Sequence, residues 1–482
     1  MAGRSNKSLT GRIIRGAMLL IAALLLFSAA AGYAPFMRCP TLDAQSAAAL
    51  EVRADQMQRD VDTGDRAMLL ESGLDGLDER LRLISRAERE IVIVTYECHD
   101  GESTRDILAA ALERADAGVR VRFLVDGIAG RLDHMTGELF CAAATHPHVE
   151  IRFYNLISHL TPWKHMGRMH DKYVIVDDTA YILGGRNMFD KFLGDYPART
   201  RSLDREVLVY NAGGRADSSL YALRDYFEKL WDGPDTRAFD ARRRIGDARR
   251  SAIYAELSAR LKELRESRPE LFIPCDYASA TVETRGIWLV SNPTTIYAKQ
   301  PTVFYQLIAL MRRAQGGIVL HSPYAVLNRE MHEALSAVAG QAPVTLMINA
   351  VENGANVVAS SDYLFHRSEL LSTGVRLMEY AGGQSYHGKA AAIGDELSAI
   401  GSFNLDIRSA YVDTELMLII RGRDFNALLR EDMEALHAEC RSVNADGSIE
   451  VPEGLTIPRL PLWKRAALYA LGGVMQLVRN LV

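Results

Sequence analysis

Apolar positions along the chain change their period in a regular order. "LLESGLDGLDERLRLISRAERE" (69–90) spaces its leucines as an amphipathic helix does, and "IVIVTYE" (91–97) is a short continuous apolar run suited to a buried strand. "STRDILAAALERADAG" (103–118) returns to helical spacing behind a serine cap and closes at Gly118, before "VRVRFLVDG" (119–127) supplies another strand. Strand, helix, strand with a short glycine loop is the order of a parallel sheet with a right-handed crossover, and "VEIRFYN" (149–155) adds a further strand.

The same order returns in the second half. "GGIVLHSPY" (316–324) reads as a strand, "NREMHEALSAVAG" (328–340) as a helix ending at Gly340, "APVTLMINA" (342–350) as a strand, and "LLSTGVRLMEY" (370–380) as a helix end followed by a strand. The expected fold class is α/β, with two similar mixed-sheet domains at 65–235 and 286–440. Between them, 236–285 is dense in charge with apolar residues at helical spacing, which predicts a solvent-exposed connecting helix, a lipid-headgroup or partner contact being the alternative. The C-terminal 455–482 places Trp463, Ala467, Ala470, Val474, Leu477 and Leu481 near one helical face. That suits an interfacial membrane helix or a helix packed on the domain, and Gly472-Gly473 weakens the former.

The N-terminal 1–38 has a different character. No charge stands between Arg15 and Arg38, a span long enough to cross a bilayer core as a helix. Arg4, Lys7, Arg12 and Arg15 precede it, so the positive-inside rule leaves the N-terminus cytoplasmic and sends the rest across the membrane. An uncleaved anchor is the first reading; the small residues of "SAAAGYA" keep a cleaved signal open, and a buried helix of a soluble protein is the third reading.

Composition narrows the class. With 482 residues, 48% hydrophobic and 24% charged, the chain is globular and long enough for two or three domains. A net charge of -5 argues against a generic nucleic-acid binder. Five cysteines without zinc-ligand spacing suggest neither a disulfide framework nor a structural metal.

The candidate chemistry lies in two stretches, "MHDKYVIVDDTAYILGGRN" (169–187) and "SYHGKAAAIGDELSAIGSFN" (385–404). On a strand, His170 and Lys172 point to one face and Asp171 to the other. His170 to His387, Lys172 to Lys389, Gly184 to Gly401 and Asn187 to Asn404 are each a shift of 217 residues, so the chain carries an internal duplication. His321, beside Pro323, is expected to be a packing residue. Trp163, Lys164, His165 and Arg168 form either an ordinary loop or a headgroup-phosphate contact.

The paired H-x-K and G-[GS]-x-N elements resemble the motifs of the phospholipase D superfamily, over roughly residues 70 to 425. "GGRN", "GSFNLDIRSAYVDTE" and the N-terminal apolar segment look like bacterial cardiolipin synthases. The first motif matches the family's H-x-K-x4-D spacing through Asp177, expected as a turn and hydrogen-bonding residue. The second departs from it: Gly394 stands at the aspartate's place and Asp395 follows, with the spacing to Gly401 unchanged, which predicts an altered hairpin turn.

The resemblance implies phosphodiester chemistry without metal or cofactor. One histidine attacks phosphorus to give a phosphohistidine while the other handles the proton of the leaving or accepting alcohol. Lys172 and Lys389 neutralise the phosphate oxygens and Asn187 and Asn404 donate hydrogen bonds to them, with Gly185 and Ser402 at the substrate. An acidic residue orients each histidine: Glu206 or Asp204 for the first motif, Glu415 or Asp413 for the second, with Glu206 and Glu415 preferred because each precedes an apolar strand. The implied activity is a phosphatidyltransferase or phospholipase on membrane phospholipids (phosphatidylglycerol, phosphatidylethanolamine or cardiolipin), anchored in a bacterial inner membrane with its catalytic part extracytoplasmic. An exported nuclease or other phosphodiesterase, and a catalytically impaired phospholipid-binding protein, are the alternatives.

Overall fold

The computed structural model describes residues 3–129, 137–158, 160–241, 244–354, 356–457 and 460–482. The side chains of residues 3–10, including the flanking charges Arg4 and Lys7, lie outside the described residues.

Two nine-stranded mixed sheets carry the fold. Across the first, the strands run Val282–Glu283, Asp65–Leu70, Glu206–Asn211, Ala180–Gly184, Tyr173–Val176, Glu90–Thr95, Arg120–Asp126, Val149–Tyr154 and Thr236–Ala238. The second runs Ile287–Ser291, Leu416–Arg421, Leu397–Gly401, Ala390–Ile393, Ile318–His321, Val344–Asn349, Arg376–Tyr380, Cys440–Val443 and Ile449–Glu450. In each, three neighbouring strands are parallel and the flanking ones antiparallel.

Glu90–Thr95, Tyr173–Val176 and Ala390–Ile393 are buried at every residue because both sheet faces are covered, which is why they read as unbroken apolar runs. Helices cover the outer face of each sheet. The inner faces meet in one core, where Val94, Tyr181 and Val207 share a cluster with Ala392, Ile400 and Leu418, together with the helices Ser219–Trp231 and Arg423–Ala435. The duplicated halves therefore form one body.

The duplication is in register. Tyr173–Val176 and Ala180–Gly184 form an antiparallel hairpin, and 217 residues on Ala390–Ile393 and Leu397–Gly401 do the same. At the turns, Asp177 and Gly394 adopt the same left-handed backbone, with φ of 51° and 54°. Asp177 accepts backbone hydrogen bonds from Glu88, Arg89 and Glu90, each 2.8 Å, and so ties the turn to the start of the central strand. At Gly394 a Cβ would lie 2.8 Å from the Gln315 carbonyl, and the turn is held through its own carbonyl by Arg430 Nη2 at 2.7 Å. The second motif's departure is confined to a turn clamp; its strands pair unchanged.

The segment expected as an exposed connecting helix is a helix with most of its residues exposed, and one narrow stripe of it packs on the first half. Helix Asp247–Ser267 buries Ile253, Leu257 and Leu261 against the first core, and Arg260 and Arg265 pair with Asp106 and Glu113 of the helix Glu102–Asp116 beneath. Three apolar side chains four residues apart make a stripe only one residue wide, easily hidden among charges. Thr236–Ala238 and Val282–Glu283, at the two ends of 236–285, pair with the first sheet, leaving little true linker.

The apolar helix Gly3–Tyr33 continues into the turn Ala34–Phe36, and Gly11–Phe36 is long and apolar enough to cross a membrane. Phe36 is buried in the second half's core, so the span ends inside the body. A helix not foreseen from the sequence, Ala44–Met57, then buries Ala54 and Met57 against the second half and pairs Glu51 and Asp55 with Arg313. At the other end, Leu462–Met475 packs on Val357–Ser372. A Cβ at Gly472 would lie 2.7 Å from the Ser361 carbonyl, so the glycine that weakened the interfacial membrane reading is what allows the close seat of a helix packed on the domain.

Candidate active site

The two hairpins bring their leading histidines to the walls of one cavity of about 410 Å³, at the seam of the two sheets. His170, His387, Asn187 and Asn404 line it, with Tyr96, Glu97, Lys191, Phe192, Arg408 and Asp413 among the remaining wall. Lys172 and Lys389 stand behind that wall, buried, each turning its ammonium back onto the backbone carbonyl of the histidine two residues before it. Lys389 Nζ also lies 2.8 and 3.1 Å from the two ring nitrogens of His387.

Each histidine is oriented by the opposite half. His170 Nδ1 meets Glu415 Oε1 at 2.9 Å, and His387 Nδ1 meets Asp204 Oδ2 at 2.7 Å. The backbone repeats the exchange: His170 N–H donates to the Thr414 carbonyl (3.3 Å), His387 N–H to the Leu203 carbonyl (2.7 Å), and Ser385–Tyr386 pairs in parallel with Ser202–Leu203. With Nδ1 engaged, Nε2 of His170 is the nitrogen left for the cavity, while Nε2 of His387 also has Lys389 Nζ at 3.1 Å.

The preferred orienting residue of the first half is thereby corrected. Glu206 does not touch a histidine; its carboxylate is buried between Arg80 (2.7 and 2.6 Å) and Arg186 (3.3 Å), a structural ion cluster. Strand register explains the choice. Gly184 lies opposite Glu206 and its repeat Gly401 opposite Met417, so the counterpart of Glu415 is two residues before Glu206, at Asp204. Asn187 to Asp204 is 17 positions and Asn404 to Glu415 is 11, and this six-residue difference breaks the 217 shift for the carboxylates.

Gly185 and Ser402 are also corrected: neither is among the cavity's lining residues, and both serve the carboxylates. A Cβ at Gly185 would sit 2.3 Å from Asp204 Oδ1, so glycine makes room for that group. At the equivalent place the Ser402 hydroxyl donates to Glu415 Oε2, while Ser409 donates to Oε1 at 2.6 Å. Asp413, the other candidate, pairs with Arg408. Arg168 donates to the Asn155 carbonyl and Lys164 pairs with Asp235, so both hold the loop. His321 is buried against His437, with 3.2 Å between Nε2 atoms.

The electrostatics distinguish the two histidines. Burial, then the charges of Lys172 and Lys389, hold His170 well below its ordinary pKa. Burial also pushes Glu415 up to about 8. For His387, burial and Lys389 bring the imidazole down to about 3 against the opposing pull of Asp204. Burial alone would raise Asp204, but His387 and Lys389 outweigh it and keep that carboxyl below the usual carboxylate range. Burial lowers Lys172 to about 8 and Lys389 to about 7. The pair Lys389–His387 therefore holds one proton readily and a second only when negative charge arrives.

Sequence reasoning missed several wall residues. Tyr96 meets His170 edge-on with ring centroids 5.2 Å apart, Phe192 flanks His387 at 5.1 Å, and Asn187 Nδ2 donates to Glu97 at 3.3 Å. Tyr96 and Glu97 directly follow the strand Glu90–Thr95, the position where parallel sheets collect functional groups.

Two mirrored H-x-K hairpins closing on one cavity define a phospholipase D-like protein. The family model described as "Cardiolipin synthase, PLD-like domain" matches residues 81–231 and 307–437, more than half of the chain, and the chain belongs to that family. It is 26% identical to cardiolipin synthase A of Pseudomonas fluorescens over 368 residues (76% of this chain, 67% of that one). To cardiolipin synthase C of Escherichia coli it is 25% identical over 405 residues (75% and 82%), and to an uncharacterized protein of Helicobacter pylori 25% over 398 (76% and 78%). Among solved structures, the fold is shared with the phosphatidylserine synthase of Haemophilus influenzae, with a TM-score of 0.63 at 13% identity, covering 90% of this chain and 100% of that one.

Glu206 and Asp204 separate by experiment. Glu206→Gln removes a charge shared by two buried guanidinium groups and should cost about 3–5 kcal/mol of stability, read as a lowered thermal midpoint. Asp204→Asn should leave that midpoint within a few degrees of the parent. Equal destabilisation by the two would contradict the assignment.

Proposed function

We propose that this chain is a membrane-anchored phosphatidyltransferase that works through a phosphohistidine on His170, with cardiolipin as its product. The observation that carries this reading is the pair of histidines on one cavity, each fixed by a carboxylate of the other half. Family membership and the relatives named cardiolipin synthases support the lipid substrate. The N-terminal apolar helix supports the anchor, and Arg4, Lys7, Arg12 and Arg15 ahead of its uncharged stretch favour a cytoplasmic N-terminus with the catalytic body outside.

The division of labour follows from the carboxylates. His170 sits against Glu415, whose charge burial disfavours against the opposing effect of Lys172 and two serine donors, so little stabilises an imidazolium there and His170 stays a neutral nucleophile. His387 sits against an ionised Asp204, which supports an imidazolium once the phosphodiester's charge is present.

His170 Nε2 attacks phosphorus, the bond from phosphorus to the leaving alcohol breaks, and that alcohol's oxygen takes the proton of His387. An acceptor hydroxyl then gives its proton to His387 and attacks phosphorus, and the P–N bond returns its electrons to His170. Lys172 and Lys389 swing from the histidine carbonyls to the phosphate oxygens, and Asn187 and Asn404 donate to the same oxygens.

Purified protein in phosphatidylglycerol and phosphatidylethanolamine vesicles should form cardiolipin, followed by mass spectrometry of the lipids. His170→Ala and His387→Ala should each lower the rate by at least about a thousandfold. Phosphatidic acid as the sole product would make the chain a hydrolase; no lipid change would return the nuclease and the impaired binding protein.

The lysines set a pH limit. Both must be charged to meet phosphate, and burial has lowered both, so kcat/KM should fall as pH rises through about 7 to 8. A profile flat to pH 10 would contradict the roles given to Lys172 and Lys389.

A further inference from the structure

The apolar helix leaves the body without a hinge. Gly32, in its last turn, is buried so closely that a Cβ there would lie 3.2 Å from the Pro162 carbonyl and 3.5 Å from Met166 Cε. From the other side, the Asn480 amide donates to the carbonyls of Phe36 (3.2 Å) and Met37 (3.0 Å). One clamp comes from the loop after the strand Val149–Tyr154 and the other from the C-terminus, so the direction of the helix relative to both sheets is fixed.

The segments that clamp this exit expose several large apolar side chains. Leu160 is 85% exposed, Leu477 77%, Val474 63% and Met37 61%, and Trp163 presents its ring beside them. These side chains come from three segments far apart in sequence, and each segment touches or adjoins the helix end. Arg38 lies exposed at the exit. Scattered exposed leucines need no explanation, but a cluster that surrounds the foot of a membrane-length helix does.

The same rim holds the cavity. Arg408, a wall residue, donates to the Met166 carbonyl (2.7 Å) and the Leu481 carbonyl (3.3 Å), and its backbone N–H to the Val482 carbonyl (3.0 Å). One residue thus joins the cavity wall to both clamps. The helix Val357–Ser372 repeats the connection, since Val357 and Ser360 line the cavity while Ser361 and Asp362 carry the C-terminal segment through Gly472 and Arg479.

We propose that the surface formed by Met37, Leu160, Trp163, Val474 and Leu477 inserts into the leaflet from which the helix emerges, so that the histidine cavity opens at the level of the lipid headgroups. The occupant is the lipid monolayer, because a rigid helix that crosses a bilayer carries the surface at its foot into the bilayer interface. A phospholipid then reaches His170 and His387 headgroup first, with its chains still in the leaflet. This inference rests on the anchor reading and not on the identity of the product.

The test reconstitutes the full-length protein in vesicles of phosphatidylglycerol and phosphatidylethanolamine containing lipids brominated near the headgroup or near the chain end. Tryptophan quenching of the native protein minus that of Trp163→Phe isolates Trp163. Shallow bromine should quench Trp163 and deep bromine should not. In the second arm, Leu160→Ser with Leu477→Ser, both at exposed positions, should raise the ratio of KM for vesicle lipid to KM for a soluble short-chain phosphodiester about tenfold. Vesicle flotation keeps the two readings apart: protein that does not float overturns the anchor, whereas protein that floats with Trp163 unquenched overturns the inserted rim. Trp163 shielded by a second copy, seen as a cross-linked dimer, would also overturn it.

Discussion

Each histidine is held by a carboxylate from the opposite half of the chain, and much of the architecture serves that exchange. Glu415 reaches His170 and Asp204 reaches His387 only if the two sheets pack inner face to inner face with their hairpins at one end. The backbone enforces the same geometry, since the residue before each carboxylate accepts the N–H of the facing histidine. Either half alone would present a histidine without its orienting acid, so the shared core is a requirement of the site as well as a source of stability.

The duplication was legible because hairpin spacing is a local property. His170, Lys172, Gly184 and Asn187 lie on one strand–turn–strand unit, and any copy of that unit must keep the same separations. The carboxylates were less legible because they answer to a partner elsewhere in the chain. Asp204 sits beyond a six-residue insertion that its counterpart lacks, and Glu206 mimics the look of Glu415 by preceding an apolar strand. Sheet register resolves this, and register is invisible until the strands are paired. Gly185 and Ser402 show the same limit, because small residues beside a phosphate motif suggest phosphate contact, whereas their neighbours in space are Asp204 and Glu415.

Packing partners set a second limit. The 236–285 segment looked like a connector because its buried stripe of Ile253, Leu257 and Leu261 is narrow, yet three well-placed side chains suffice to seat a helix. Gly472 left an interfacial and a packed helix both open, and it is the contact point of a packed one. In both, the burial partner decides, and no local pattern names it. The difference between Asp177 and Gly394 runs the other way: a conspicuous change of residue leaves the backbone nearly the same, because glycine reaches the left-handed conformation without the side-chain clamp.

The central claim is that one covalent intermediate forms, on His170, with His387 as its acid and base. It is tested most directly with His387→Ala and a p-nitrophenyl phosphodiester, whose leaving group departs without protonation. After rapid quenching and digestion, mass spectrometry of the peptides reads the site. The account expects a phosphoryl-bearing fragment to accumulate on the peptide containing His170, because without His387 no base activates the acceptor. Release of nitrophenol with no mass on His170, or an adduct that appears on His387 in His170→Ala, would contradict it.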